Sequence, residues 1–387
     1  MKSKNREFNK IEILKELDSI KDKDYTFSSG RILGSMCTQP HPIAKEAYIK
    51  FLETNLGDPE LFPGLKEIES EFLTFILTLL NAPKSSTGLI GSGGTESNIT
   101  AIWLAKNLTK KKEIIVPESA HFSFEKIKSL MDIKLKFIPL NKDYIIDVNN
   151  LRKKVNKDTA AIVGIAGSTE LGTIDPIDEI NDICFDENIF FHIDAAFGGF
   201  VIPFIKELGY RVPDFDFNLK NINSISIDAH KMGYSAIPLG ILAIRCEKWL
   251  NEISVETPYI SSKNQAGLLA TRSGGPVAAA YAVTKYLGKN GYKDLVKRCM
   301  IITKYTQEKI EDLGLNLVIK PTMNVLGIKL KNPSKVVNKL AGLGWKVNNM
   351  DRLSAIRIVL MPHVTKEIIN DFIPDLKKVC IEYKEIR

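Results

Sequence analysis

Cysteine is scarce and scattered. The five residues Cys37, Cys184, Cys246, Cys299 and Cys380 are spread over 387 positions with no CxxC pair. That argues against a disulfide framework or a zinc site and for a reducing compartment. Long apolar runs are missing too. The longest, near Phe72 to Leu80, falls well short of a bilayer span. The opening Met-Lys-Ser-Lys-Asn-Arg has no apolar segment behind it, so no signal peptide is expected and the cytoplasm is the expected location. Basic residues outnumber acidic ones by only 53 to 46, a net charge of +7, and the lysines are spread along the chain in runs no longer than Lys110-Lys111-Lys112. A nucleic-acid groove wants clustered charge with interleaved aromatics, so none is expected. Internal repeats and low-complexity stretches are absent as well.

What remains is an ordinary globular composition, 44% hydrophobic and 26% charged, on a chain long enough for one large domain and a smaller one. Residues 1–30 are polar with a weak helical period from Ile11 to Ile20, an arm that must dock on something. The Gly- and Pro-punctuated stretch Gly30 to Pro42 predicts a loop that either lines a pocket or packs as an entry segment. Helices are predicted near 43–55 and 65–80, with a loop from Gly57 to Gly64 between them.

Between 88 and 246 short apolar segments alternate with amphipathic ones. Strands are predicted near 113–117, 134–140, 160–166, 189–195, 222–228 and 240–245, and helices starting near 95, 121, 147 and 176. This alternation predicts an α/β fold, a mostly parallel central sheet with helices on both faces, whose ligands sit at the carboxyl ends of the strands. After Cys246 it stops. Residues 256–275 are irregular. Helices are predicted at 276–287, 293–313, 333–343 and 365–384, and strands near 316–320, 325–330, 345–348 and 355–360, a smaller C-terminal α+β domain.

The chemistry-bearing motifs fall at predicted strand ends. Ser224-Ile-Ser-Ile-Asp228-Ala-His230-Lys231 closes an alternating run with a lysine. Desolvation there favours the neutral amine, a nucleophile toward carbonyl groups; a surface lysine past a strand end is the plainer reading. Gly91-Ser-Gly-Gly94-Thr95-Glu96-Ser97-Asn98 opens a helix. It reads either as a phosphate cradle of glycines and free N–H groups or as a turn capped by Thr95. It lacks the ending of a Walker A loop and is not GxGxxG. His121 can stack on a flat ring and move a proton, or be merely a capping or core histidine. Thr169 can donate to a ring oxygen, while Asp175-Pro176 reads as a structural helix start. Asp194 in Phe191-His192-Ile-Asp194-Ala-Ala196 follows an apolar run and needs a partner, either a pyridinium N–H or a backbone turn. His192 shares its face and can orient it, and Ala196 is small enough to lie under a ring. Each motif alone is weak. Together they supply phosphate cradle, ring stacker, oxygen donor, pyridine partner and amine.

GSGGTESN, HIDAAFGG and SISIDAHKMG resemble the group II pyridoxal-phosphate decarboxylases, which have the fold-type-I, aminotransferase-like architecture. GRILGSMCTQPHPIA, NLGDPELFPG, ETPYISSKNQAGLLATRSG and AIRIVLMPHVT are most similar to the archaeal L-tyrosine/L-aspartate decarboxylases, which make tyramine for methanofuran or β-alanine for coenzyme A. The resemblance implies pyridoxal 5′-phosphate as cofactor, no metal, and a homodimer with shared sites. It implies an arm and active-site loop over 1–50, a cofactor-binding domain over 51–275 and a small domain over 276–387. It also implies residue roles. Gly94 and Thr95 hold the phosphate, helped by Ser224 and His230. His121 stacks on the ring, Thr169 sits near the ring hydroxyl or the carboxylate, Asp194 pairs with the ring nitrogen over Ala196, and Lys231 carries the cofactor. Tyr259, in a loop reaching the partner subunit's site, or His121 returns the proton. Arg357 binds a substrate carboxylate. Asp228, where relatives often carry Asn, would place an anion beside a phosphate. Two other readings stand beside decarboxylation: a C–C aldehyde-lyase of the sphingosine-1-phosphate lyase type, and a phosphate- or nucleotide-binding module without catalysis.

Overall fold

A computed structural model describes residues 8–258 and 264–386. The chain enters through α1 (Lys10–Lys21), α2 (Pro42–Lys50) and α3 (Pro63–Leu79). Asn9 caps α1 reciprocally with Glu12, yet the helix buries no residue, and Ile11, Leu14, Leu17 and Ile20 are each at least half exposed. Proline at the first turn starts α2 and α3, where its missing N–H costs nothing. α2 stops at Lys50, earlier than its periodicity predicts.

Alternation then builds the main sheet. In chain order the elements are β1 (Thr87–Gly91), α4 (Gly94–Thr109), β2 (Glu113–Pro117), α5 (Ser123–Met131), β3 (Lys134–Ile138), α6 (Val148–Lys154) and β4 (Thr159–Ile165). There follow α7 (Ile177–Asp186), β5 (Phe190–Asp194), α8 (Ile202–Glu207), β6 (Ile222–Asp228) and β7 (Gly240–Ile244). The seven strands lie in the order β1-β7-β6-β5-β4-β2-β3. β7 runs antiparallel to both its neighbours; the other pairings are parallel. The carboxyl ends of β1, β2, β4, β5 and β6 therefore share one edge. β1 escaped the sequence reading because Thr87-Gly-Leu-Ile-Gly91, with two glycines in five residues, has no strand-like period.

β4, β5 and β7 are buried along their whole lengths, as a sheet covered on both faces requires. One core packs α2, α3, α7 and α8 on one face and a second packs α4 and α5 on the other. A hairpin of β8 (Ser254–Glu256) and β9 (Asn264–Ala266) flanks the loop containing Tyr259, which lies outside the described residues.

α9 (Gly274–Asp312) replaces two predicted helices. Instead of a linker it bends at one residue, Gly288 (φ 55°, ψ −171°), a conformation glycine takes at no steric cost. Beyond it come β10 (Val325–Lys329), α10 (Pro333–Gly342), β11 (Asn348–Met350), β12 (Ala355–Val359) and α11 (Lys366–Glu382). The order β10-β12-β11 makes a small antiparallel sheet over its own core, centred on Trp345 and Phe372. The strand predicted near 316–320 is reduced to a single bridge, Leu317 to Ile328. Among the described residues no helix is long and apolar enough to cross a membrane.

Tyr292 of α9 ties the helical layer to the site. Its ring is fully buried against Phe200 and Phe204, and its hydroxyl donates to the Gly233 carbonyl at 2.9 Å, two residues past Lys231. Tyr292→Phe keeps the packing and orphans that carbonyl. A loss of about 1–2 kcal/mol is expected in urea denaturation, the cost of a buried acceptor left unpaired.

Candidate active site

Five strand ends, those of β1, β2, β4, β5 and β6, converge on one cavity of about 430 Å³, within the usual size range for small-molecule sites. From β1 the chain turns through Ser92 and Gly93 into α4. Gly93 holds φ 148°, and a Cβ there would meet the His230 ring at 3.1 Å. A Cβ on Gly94 would meet Ala196 at 3.0 Å and Asp228 Oδ2 at 3.2 Å, and one on Gly240 would sit 2.4 Å from Gly93 Cα. The turn is thus pressed onto the ends of β5, β6 and β7, and only glycine allows it. Gly93, not Thr95, is the N-cap of α4, and no side chain caps it. Glu96 instead folds back on Ser92, 2.7 Å from both its backbone N and its Oγ. The first N–H groups of this 16-residue helix are left facing the cavity that Gly94 and Thr95 line, an arrangement suited to an anion.

His121 and Ser119, just beyond β2, line the same cavity. His121 Nδ1 accepts the Ser123 N–H at 3.2 Å, so the neutral ring carries its proton on Nε2. Burial lowers the imidazole pKa, opposed by Asp194 and Asp228 and reinforced by Lys231. Thr169, after β4, lines the cavity too. Asp175 does not cap α7. Its two oxygens accept the N–H groups of Ile146 (2.9 Å) and Ile165 (2.8 Å), pinning the end of β4, and burial raises its pKa to about 6.

Asp194, at the end of β5, is 7% exposed. Oδ1 accepts the Ala196 N–H at 3.1 Å and the Ser226 hydroxyl at 3.3 Å; Oδ2 accepts the Asn98 amide at 2.8 Å. A carboxylate has about four acceptor sites, so capacity remains for a donor in the cavity. Asn98, which lines the cavity, was missed by the sequence reading. The available signal was spacing, since positions 94 and 98 share a helix face.

Asp228, at the end of β6, is 2% exposed. Oδ2 lies 3.1 Å from Lys231 Nζ and 3.8 Å from His230 Nε2, while Oδ1 is buried without a partner. His230 Nδ1 faces the backbone of Leu239, 2.7 Å from its carbonyl oxygen. The expectation of a neutral Lys231 is corrected. Burial does pull its amine down, but Asp228 and Asp194 outweigh burial and raise its pKa above the ordinary value.

Two predicted residues do not reach the cavity wall. Ser224 is fully buried one register behind Ser226, and its hydroxyl is taken by His192 Nδ1 at 2.9 Å, so it is not placed to meet a phosphate. Arg357 stands on β12 behind Thr169. Its guanidinium bonds the Thr169 carbonyl, the Gly34 carbonyl at 2.7 Å and Asn348 Oδ1 at 3.0 Å, with Nε buried and unpaired. Its three partners belong to three separate segments, so the residue clamps the 31–41 loop and the 167–173 turn to the small sheet. Cys37, in that same loop, has its thiol pKa raised by burial, partly countered by Lys231.

The cavity fits a phosphorylated aromatic aldehyde. It offers an amine, an uncapped helix end, a buried carboxylate with acceptor capacity to spare, and an unpartnered buried hydroxyl on Ser119. Solved structures share this fold over the whole chain. A sphingosine-1-phosphate lyase from Burkholderia pseudomallei superposes with a TM-score of 0.91 at 26% identity, covering 100% of this chain and 93% of that one. The fold of Lactobacillus brevis glutamate decarboxylase matches with a TM-score of 0.90 at 22% identity, covering 100% and 96%. The class is therefore that of fold-type-I pyridoxal-phosphate enzymes.

The sequence comparisons narrow it. Residues 43–331 match the model described as the pyridoxal-dependent decarboxylase conserved domain. Methanothermobacter thermautotrophicus has a probable L-tyrosine/L-aspartate decarboxylase 44% identical over 92% of this chain and 98% of that protein. The L-aspartate/L-glutamate decarboxylase of Pyrococcus horikoshii is 46% identical over 96% and 97%, and the L-aspartate decarboxylase of Thermococcus kodakarensis 43% over 95% and 97%. The chain belongs to the pyridoxal-dependent decarboxylase family. Pyridoxal phosphate is its cofactor and decarboxylation its reaction, which sets aside both the aldehyde-lyase and the non-catalytic reading.

With the carboxylate partner removed, the amine of Lys231 should lose its proton at lower pH. In Asp228→Asn apoprotein, the pH midpoint for borohydride-trapped labelling of Lys231 by pyridoxal phosphate, followed by mass spectrometry, should fall by about one unit or more.

Proposed function

We propose that the protein removes the α-carboxylate of an L-amino acid, with L-aspartate the first candidate substrate and L-tyrosine the second. The observation that carries the site assignment is the meeting of the Lys231 amine, the Asp194 carboxylate and the bare N-terminus of α4 on one cavity. Support for the substrate order comes from the relatives' names, in which aspartate recurs.

Pyridoxal phosphate, when bound, supplies a protonated ring that takes up the electron pair freed at Cα. The chain's residues do the rest. The N–H groups of Gly94 and Thr95, with the Thr95 hydroxyl and His230 at the Gly93 turn, hold the phosphate. Asp194 keeps the proton on the ring nitrogen, and Ala196 is small enough to lie beneath the ring. His121 stacks on it and carries on Nε2 a proton that can be returned to Cα. Tyr259, outside the described residues, is the second candidate proton donor. Thr169 would serve the ring hydroxyl or the substrate carboxylate, and Lys231 would be the amine that holds the cofactor. Asp228, 3.1 Å from that amine, favours its charged form. Arg357, which stands behind Thr169 and does not line the cavity, would meet the substrate carboxylate by exchanging the Thr169 carbonyl for it, a charge-assisted pair replacing a neutral acceptor.

A cytoplasmic homodimer is part of the same proposal, supported by an α1 helix whose apolar residues find no cover in the monomer. So is a role for the product, β-alanine toward coenzyme A or tyramine toward methanofuran.

Purified protein supplied with pyridoxal phosphate should release CO₂ from aspartate, and more slowly or not at all from tyrosine and glutamate. Lys231→Ala should abolish both turnover and visible absorbance; retention of both refutes the assignment. Arg357→Lys keeps the charge and loses the fork, so KM for the amino acid should rise about tenfold or more with a smaller change in kcat. An unchanged KM removes Arg357 from substrate binding.

A further inference from the structure

The carboxylate at 194 is held by more than its own turn. Parallel register sets Ser224 beside His192 and Ser226 beside Asp194, and α4 lies across these strands with Asn98 only 1% exposed. Four side chains then form one line. Ser224 Oγ is 2.9 Å from His192 Nδ1, His192 Nε2 is 2.9 Å from Asn98 Oδ1, and Asn98 Nδ2 is 2.8 Å from Asp194 Oδ2.

Only one direction of hydrogen bonding satisfies this line. Both Asp194 oxygens already act as acceptors, so Asn98 must turn its NH₂ toward Oδ2 and its carbonyl toward His192. His192 must then donate from Nε2, which leaves Nδ1 as an acceptor for the Ser224 O–H. Flipping the amide would set oxygen against oxygen, and moving the imidazole proton would set two lone pairs face to face. Burial drives the His192 pKa down to about 4, against the pull of Asp194, so a neutral ring with one N–H is the form present.

The line also runs deeper than hydrogen-bond satisfaction of Asp194 demands. Its same-face neighbours on the flanking strands, Val163 and Ile165 of β4 and Leu242 and Ile244 of β7, are buried and apolar. Three buried polar groups in such a core are costly unless each is paired. Ser224 and His192 do not line the cavity, so whatever they do there passes through Asn98.

We infer that Asn98 is a positioning residue for the cofactor, backed by His192 and Ser224: the line orients the Asp194 carboxylate and fixes which of its lone pairs is left for the ring nitrogen. The inference rests on Asp194 being the ring partner. Thr95 and Asn98 then divide the work of α4, one turned to the phosphate end and the other to the ring end through the carboxylate.

The test uses full-length apoprotein and measures the Kd for pyridoxal phosphate, the absorbance maximum after reconstitution, and the apoprotein melting temperature. Asn98→Asp keeps the shape but presents an acceptor to an acceptor, and should raise the Kd about tenfold or more. Ser224→Ala, remote from the cavity, should raise it several-fold and shift the absorbance maximum, while Ser224→Thr, which retains the hydroxyl, should restore both. The double variant Asn98→Asp with Ser224→Ala should bind no worse than Asn98→Asp alone, because members of one line are not additive. Wild-type binding and spectrum in Ser224→Ala, or a Ser224→Thr that behaves like Ser224→Ala, overturns the relay whatever Asn98→Asp does. If Asn98→Asp fails to fold, the Ser224 pair decides. Asp194→Ala separates the two levels: lost binding there with Ser224→Ala at wild type removes only the relay, and unchanged binding there removes Asp194 as the ring partner.

Discussion

A carboxylate buried at the end of a central strand is the constraint on which the rest of this site depends. Asp194 has almost no water to solvate it, so the protein must supply donors. It does so from three directions at once: the turn that follows β5, the neighbouring strand β6, and α4 lying across the sheet. Each donor fixes a piece of backbone. Satisfying one anion therefore sets the tilt of α4, and with it the place where that helix presents its free N–H groups. The cradle and the carboxylate share one construction.

The second charge pair works differently. Asp228 and Lys231 are three residues apart at one strand end, with both groups in low-dielectric surroundings. Their attraction favours the charged amine, against the pull of burial. The unpaired second oxygen of Asp228, wedged above Gly240, is what this arrangement leaves unsolvated.

Much of this was legible in the sequence. Alternating apolar segments announce a parallel sheet, and polar residues at their ends announce a site, because a strand end is where a buried run meets solvent. Lys231, Asp194, His121 and the glycine turn stand out for that reason. What escaped depends on partners across the fold. Asn98 looks like any helix residue until a carboxylate is found opposite. Ser224 alternates correctly but faces a histidine, not a ligand. Arg357 lies between Ile356 and Ile358 and gives no hint that carbonyls from two distant loops will claim it. The sign of the effect on Lys231 could not be read either, since burial and Asp228 pull oppositely and only a distance ranks them. β1 and the bend at Gly288 were lost to glycine, which carries no period.

The position of β1 has a consequence for synthesis. It is the first strand of the sheet to be made, yet among the described residues it pairs only with β7, the last. During translation the glycine turn must wait, unpaired, until almost the whole sheet has left the ribosome. A nascent chain that has already formed β2 through β6 still lacks the wall that closes the cradle. Closure of this edge of the cavity is in this way coupled to completion of the sheet rather than to folding of any local segment.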